Sequence, residues 1–202
     1  MAIGARQHGS PDIFPTGVST VGDHSFLFVD GGVTMYNNPA FQLFLMATVQ
    51  PYNLQWSVGV GRMLLVSVGT GTSPRANANL QPGDMNLLYN AGSIPSALMY
   101  AALNEQDFLC RTFGDCLAGH VLDREVGDMQ GKGGPVTPKL FTYMRYNGEL
   151  TEEGLNLLGL GASGIRPEDV QALDSVDHIS QMQAAGKAVA EKEVKDARFQ
   201  RF

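Results

Sequence analysis

Asp30 is the residue best placed to take part in chemistry. It ends the short apolar run Phe26 to Val29 and is succeeded at once by Gly31 and Gly32. The run is aromatic and β-rich, which predicts a buried strand. In open α/β sheets, strand ends are where ligands and reacting groups collect. The two glycines let the backbone turn sharply and let another group approach the carboxylate closely. Asp-Gly is also a common turn dipeptide, so the weight comes from two further motifs downstream. Asn37-Asn38-Pro39-Ala40 comes next and opens an apolar helical pattern. Val66-Ser67-Val68-Gly69-Thr70-Gly71 then reads as a strand running into a glycine-rich turn.

A serine acyl hydrolase needs a nucleophile on a strained elbow, a base for its proton and donors for the oxyanion. The 202 residues contain no Gly-x-Ser-x-Gly and no Gly-Gly-Gly-x-x-Gly. Ala162-Ser163-Gly164 lies in a glycine-rich turn, but no strand pattern precedes it. The histidines are His8, His24, His120 and His178. The strand after His24 holds it away from Asp30, and His178 falls on the polar side of a helical pattern, so all four read as surface residues rather than triad members. Gly69 to Thr72 could cradle a phosphate. Neither Gly-x-Gly-x-x-Gly nor Gly-Lys-Ser/Thr supports a nucleotide there, and a tight turn at the active end of the sheet is the better reading. Cys110 and Cys116 fit no Cys-x-x-Cys pattern and have no histidine cluster beside them, so they read as two ordinary buried thiols, with one disulfide as the alternative.

In order and spacing, Asp30-Gly31-Gly32, Asn37-Asn38-Pro39 and Val66 to Gly71 resemble the second half of a patatin-like phospholipase domain of the bacterial type. The resemblance implies a three-layer α/β/α sandwich with a mainly parallel central sheet, incomplete on its N-terminal side. It implies a lipid acyl hydrolase working through a Ser-Asp dyad without histidine, on a phospholipid or another acyl lipid. Asp30 would be the general base, Gly31 and Gly32 would shape its turn, and Asn37, Asn38 and Pro39 would support the loop. The nucleophile serine and the oxyanion loop match nothing in this chain, so the missing N-terminal half of the domain is an expected partner. No metal or cofactor is implied. The alternatives are a non-catalytic binding or interaction domain of the same fold, and a nucleotide-binding domain using Gly69 to Gly71.

Composition agrees with one folded unit. The hydrophobic fraction is 44% and the charged fraction 17%, which is globular rather than disordered. A net charge of -6 argues against a nucleic-acid binder and against strong attraction to anionic membranes. Only transient contact with a membrane surface fits. No apolar run is long enough to span a bilayer, and no basic segment leading into an apolar core opens the chain, so a cytoplasmic location is expected.

These residues are organised as a single partial domain. Residues 1–25 are rich in Gly, Pro, Ser and Thr and read as a loop or linker. Residues 26–146 hold the remaining sheet and its covering helices, and residues 147–202 form a helical region. Asn38 and Pro39 start a helix expected to reach about Gln50, with Phe41, Phe44, Leu45 and Thr48 at helical spacing. Met63 to Val68 is apolar on both faces and reads as a central parallel strand. A helix is expected from about Ile94 to Arg111, burying Leu98, Ala101, Ala102 and Phe108. Phe141 to Tyr146 alternates, with Phe141, Tyr143 and Arg145 on one side and Thr142, Met144 and Tyr146 on the other, and reads as a strand towards an edge. Leu150 to Leu160 is turn and helix, Pro167 to Leu173 a short helix, and a long helix begins after Ser175. That helix carries an apolar stripe from Val176 to Val194 and an exposed Glu191–Lys195 pair.

Overall fold

In the computed structural model, residues 17–28, 31, 34–73, 87–171, 176–200 and 202 are described. The fold is mixed α/β. Strands β3 (Leu64–Val68), β4 (Asp115–Ala118) and β5 (Thr142–Tyr146) form one parallel sheet in the order β3-β5-β4. Leu64 stands opposite Thr142 and Val68 opposite Tyr146, while β4 aligns Asp115 with Thr142 and carries an irregularity between Cys116 and Ala118. A separate antiparallel pair joins β1 (Gly17–Val21) to β2 (His24–Phe28), with Gly22 in the turn at φ 59°.

That pair corrects two expectations. Residues 17–21 lie in the stretch expected to be loop, yet they form a strand. Ser and Thr are at home in a strand once a partner supplies the ladder, and the partner is sequence-adjacent β2. The run at Phe26 does become a strand, but an exposed one: Phe26 is 44% and Phe28 57% accessible. Val29 and Asp30 lie outside the described residues, as do Gly32 and Val33.

The order of the three-stranded sheet reverses another expectation. β5, expected at an edge, is the centre, and all five of its residues are buried. β3, expected at the centre, lies at one side of the three, with Val66 and Val68 exposed. Of the polar members of β5, Arg145 donates to Ser67 Oγ and Tyr146 OH to Met144 Sδ, while Thr142 Oγ1 and Tyr143 OH are buried without a hydrogen-bond partner among the described residues. The expected division of its two faces holds. Phe141 and Tyr143 pack with Ala40, Phe44 and Cys110 under α1 (Ala40–Thr48) and α2 (Leu87–Phe113). Met144 and Tyr146 pack on the other face with Ala118, Leu64 and Phe199.

α1 begins where the Asn-Pro pair predicts. Ala40, Phe44 and Ala47 recur at helical spacing and are buried. Phe44 meets Phe141 with ring centroids 4.6 Å apart, which locks the helix onto the sheet. The helix stops at Thr48, since Val49 turns extended and Gln50–Tyr52 forms a 3-10 turn around Pro51.

α2 starts earlier than expected and runs through Pro95. It also turns a different face inward. Leu98 is 64% and Phe108 41% exposed, Ala101 is exposed and Ala102 half-buried, while Gln106, Asp107, Cys110 and Arg111 are buried. The charged pair decides this rotation. Arg111 Nε and Nη2 donate to the two carboxylate oxygens of Asp107 at 2.9 and 2.7 Å. Arg111 Nη1 reaches the carbonyls of His120 and Asp128 at 2.7 and 2.8 Å. One side chain thereby ties α2 to the segment after β4.

Cys110 and Cys116 are free and buried, as their spacing suggested. Burial, and then the Asp107 carboxylate, push the Cys110 thiol well above its usual range. Burial raises Cys116 to about 11 against the opposing pull of Arg111. Neither carries much thiolate at neutral pH. Native protein at pH 8 is therefore expected to react with a thiol-exchange reagent only as fast as it unfolds. Fast labelling of either thiol in the native state, monitored by absorbance, would contradict this packing.

The C-terminal region holds α3 (Glu152–Leu157), α4 (Pro167–Gln171) and α5 (Ile179–Glu193). Thr151 caps α3 by accepting from the Gly154 amide at 3.1 Å. Asp169 is held below the usual carboxylate range, first by the hydrogen bond from Arg166. The expected Glu191–Lys195 pair does not form. α5 ends at Glu193, so Lys195 lies past the last turn. Glu191 instead pairs with Lys187 at 3.7 Å, and Lys195 Nζ donates to the Glu191 carbonyl. Among the described residues, no helix is long and apolar enough to cross a membrane.

Candidate functional site

The carboxyl ends of β3 and β5 meet at Gly69-Thr70-Gly71, the turn singled out in the sequence. Gly69 N–H donates to the Tyr146 carbonyl at 2.8 Å, Gly71 N–H to Asn147 Oδ1 at 2.9 Å, and Thr72 N–H to the Gly148 carbonyl at 2.9 Å. Three of the four amides from Gly69 to Thr72 are thus spent on the chain itself. This removes most of what a phosphate cradle would need and leaves the tight-turn reading. Glycine is required at both ends of the turn. A Cβ at Gly69 would collide with Asn147 Oδ1, and Gly71 sits at φ 104°.

An apolar groove of about 330 Å³ opens beside this turn. Val68 and Tyr146, the last residues of β3 and β5, form its floor. Met182, Ala185, Val189 and Val194 of the C-terminal region form its wall. The expected apolar stripe of α5 is therefore only partly packed. Ala185 is 3% accessible, but Ile179, Met182 and Val194 remain exposed. Gly186 faces open space, since a Cβ there would meet nothing within 4 Å.

Of the expected site residues, Asp30 and Gly32 lie outside the described residues. Gly31 is placed, and it anchors a turn: Thr34 donates to its carbonyl through N–H at 3.0 Å and through Oγ1 at 2.9 Å. A Cβ on Gly31 would stand 3.2 Å from the Tyr36 carbonyl oxygen, so the turn closes tightly around it. Pro39 occupies the N-cap position of α1 and has no capping side chain of its own.

Asn37 and Asn38 part company. Asn37 is exposed, and among the described residues its side chain makes no hydrogen bond. Asn38 is 1% accessible and joins the loop to the sheet. Its Oδ1 accepts from Ser67 Oγ of β3 at 2.8 Å and, more weakly, from the Ala40 amide at 3.4 Å. Ser67 Oγ in turn accepts from Arg145 Nη1 of β5 at 2.7 Å. A buried chain of hydrogen bonds therefore runs from the central strand to the start of α1, eight residues after Asp30. The sequence marks Asn38 as a cap, while Ser67 and Arg145 read there as ordinary strand residues. An arginine alternating with Phe141 and Tyr143 is the signal that could have flagged a buried guanidinium.

Asn38→Ala would leave the Ser67 hydroxyl buried without its acceptor. The expected cost is about 1–3 kcal/mol. Asn37→Ala should fall within about 0.5 kcal/mol of the parent. Urea denaturation of both variants checks this, and equal losses would mean that Asn38 acts only as a local cap.

Among the described residues, no histidine forms a triad with Asn38, Ser67 or Arg145. His24 opens β2 and is exposed, and His8 lies outside the described residues. His120 pairs with Glu193 at 2.7 Å, while His178 stands 3.6 Å from Asp169. The first pair ties the segment after β4 to the C-terminal region, and the second lies within that region. Among the described residues, no group of three or more His, Cys, Asp or Glu could hold a metal ion.

No family model matches the chain, and neither a curated protein nor a solved structure matches it.

Proposed function

We propose that the chain is the base-carrying part of a patatin-like lipid acyl hydrolase. Asp30 would take the proton from a serine supplied by polypeptide outside these 202 residues, and would later activate water against the acyl-enzyme. The sheet would belong to a three-layer α/β/α sandwich. The observation that carries this reading is the apolar groove at the carboxyl ends of β3 and β5, bounded by Gly69 to Gly71. Reactions in open α/β sheets occur at that end, and a lined apolar groove of this kind suits an acyl chain. The enzyme would act in the cytoplasm, with transient contact at a lipid surface.

A non-catalytic binding domain of the same fold is the second reading. The absence of a Gly-x-Ser-x-Gly elbow from the 202 residues favours it. Hydrolysis of p-nitrophenyl acyl esters separates the two. The chain alone should give no turnover that depends on Asp30. The natural polypeptide, with any in-frame sequence before Met1, should hydrolyse such esters and lose activity to a serine-directed inhibitor. No turnover from that polypeptide would remove the enzymatic reading.

A further inference from the structure

A second cavity lies on the opposite face of β5, under α2. It measures about 130 Å³. On a comparable scale one water takes roughly 10–15 Å³, so the space suits a small molecule and not a long chain. Arg145 lines it and is only 4% accessible. Among the described residues, its guanidinium makes one hydrogen bond, to Ser67 Oγ, and no carboxylate is in ion-pair contact with it. Buried charges are normally paired, because removing an ion from water is costly. Of the two carboxylates lining the cavity, neither forms an ion pair with Arg145. Asp107 is held by Arg111 Nε and Nη2, and Glu149 Oε1 accepts from Thr151 Oγ1 at 2.7 Å.

We propose that this cavity binds a small organic carboxylate, with its charged end on Arg145. A guanidinium fork matches a carboxylate through two parallel hydrogen bonds. The rest of the lining narrows the class. Leu103, Val121 and Leu122 offer an apolar surface beside the charge, while Asn104 and Tyr100 offer polar contacts. A monoanion with a short hydrocarbon body meets both. Inorganic phosphate, partly a dianion at neutral pH, would face Asp107 and Glu149 with no apolar part to bury. The proposal does not depend on hydrolysis, since it concerns the face of the sheet away from the apolar groove.

The test uses the purified chain, titrated with sodium butyrate, sodium phosphate or sodium chloride at matched ionic strength. Thermal midpoint and ligand-observed NMR are the readouts. Butyrate should raise the midpoint saturably and phosphate should not. Arg145→Met should weaken butyrate binding by about tenfold or more. Leu103→Trp keeps the charge but fills the cavity, and should weaken it similarly. If Arg145→Met fails to fold, Leu103→Trp decides alone. No saturable butyrate binding, binding unchanged in both variants, or tighter binding of phosphate would each overturn the proposal.

Discussion

Asp30→Asn is expected to lower kcat by about 10²–10⁴ in a polypeptide that carries both members of the proposed dyad, as loss of a positioned base does. The amide keeps the shape and hydrogen-bonding reach of the carboxylate but cannot take the proton. Folding should change little, because Asp30 precedes two glycines and a turn closed by Thr34 on the Gly31 carbonyl. Geometry comes first for this role: the carboxylate must stand about 2.6–3.2 Å from the serine oxygen, or reach it through one water. The measurement is steady-state hydrolysis of an acyl ester, with circular dichroism as the folding control. A near-normal kcat would reduce Asp30 to a turn residue and require another base.

Asp107→Ala should be the most damaging change to stability in the described core. Arg111 is 2% accessible and depends on Asp107 for two of its hydrogen bonds. Burial alone would depress the guanidinium's pKa, and the hydrogen bonds and charge of Asp107 more than reverse that. Deleting the carboxylate leaves burial unopposed. Breaking a buried pair in this way costs about 3–5 kcal/mol, against a whole-domain stability of about 5–15 kcal/mol. Chemical denaturation should show the midpoint falling steeply or the fold lost. The double variant Asp107→Leu with Arg111→Met should recover most of the loss, since two apolar groups of similar size replace the pair. A single-variant loss below about 1 kcal/mol would mean that water or the carbonyls of His120 and Asp128 already satisfy Arg111.

Local signals were legible where a residue's neighbours in sequence decide its state. Asn38 and Pro39 mark the start of α1 to within a residue because the φ of proline is fixed locally, although Pro39 and not Asn38 takes the N-cap position. The apolar run at Leu64–Val68 and the glycines after it place β3 and its turn. Alternation in Thr142–Tyr146 assigned each side chain to the correct face, since the period of a strand is two whatever lies beside it. The α/β class is a consequence of these elements.

Which strand is central, and which face of α2 turns inward, rested on contacts between distant segments. β5 is buried although it carries Arg145, because Ser67 on β3 and Asn38 before α1 accept its hydrogen-bond chain. α2 buries Asp107 and Arg111 in preference to Leu98 and Phe108, because a charge pair closed on itself and on two loop carbonyls can enter the core. Hydrophobicity read along the chain assigns such polar residues to solvent, since their partners lie up to 78 positions away. The linear chain therefore carries α1, β3 and β5, the order of the motifs and the place of Asp30 after an aromatic run, while β1 and β4 were not legible in it. Long-range contacts set the strand order, the two cavities and the burial of Arg145. The strand order and the burial of Arg145 go with polar contacts to residues brought near only by folding.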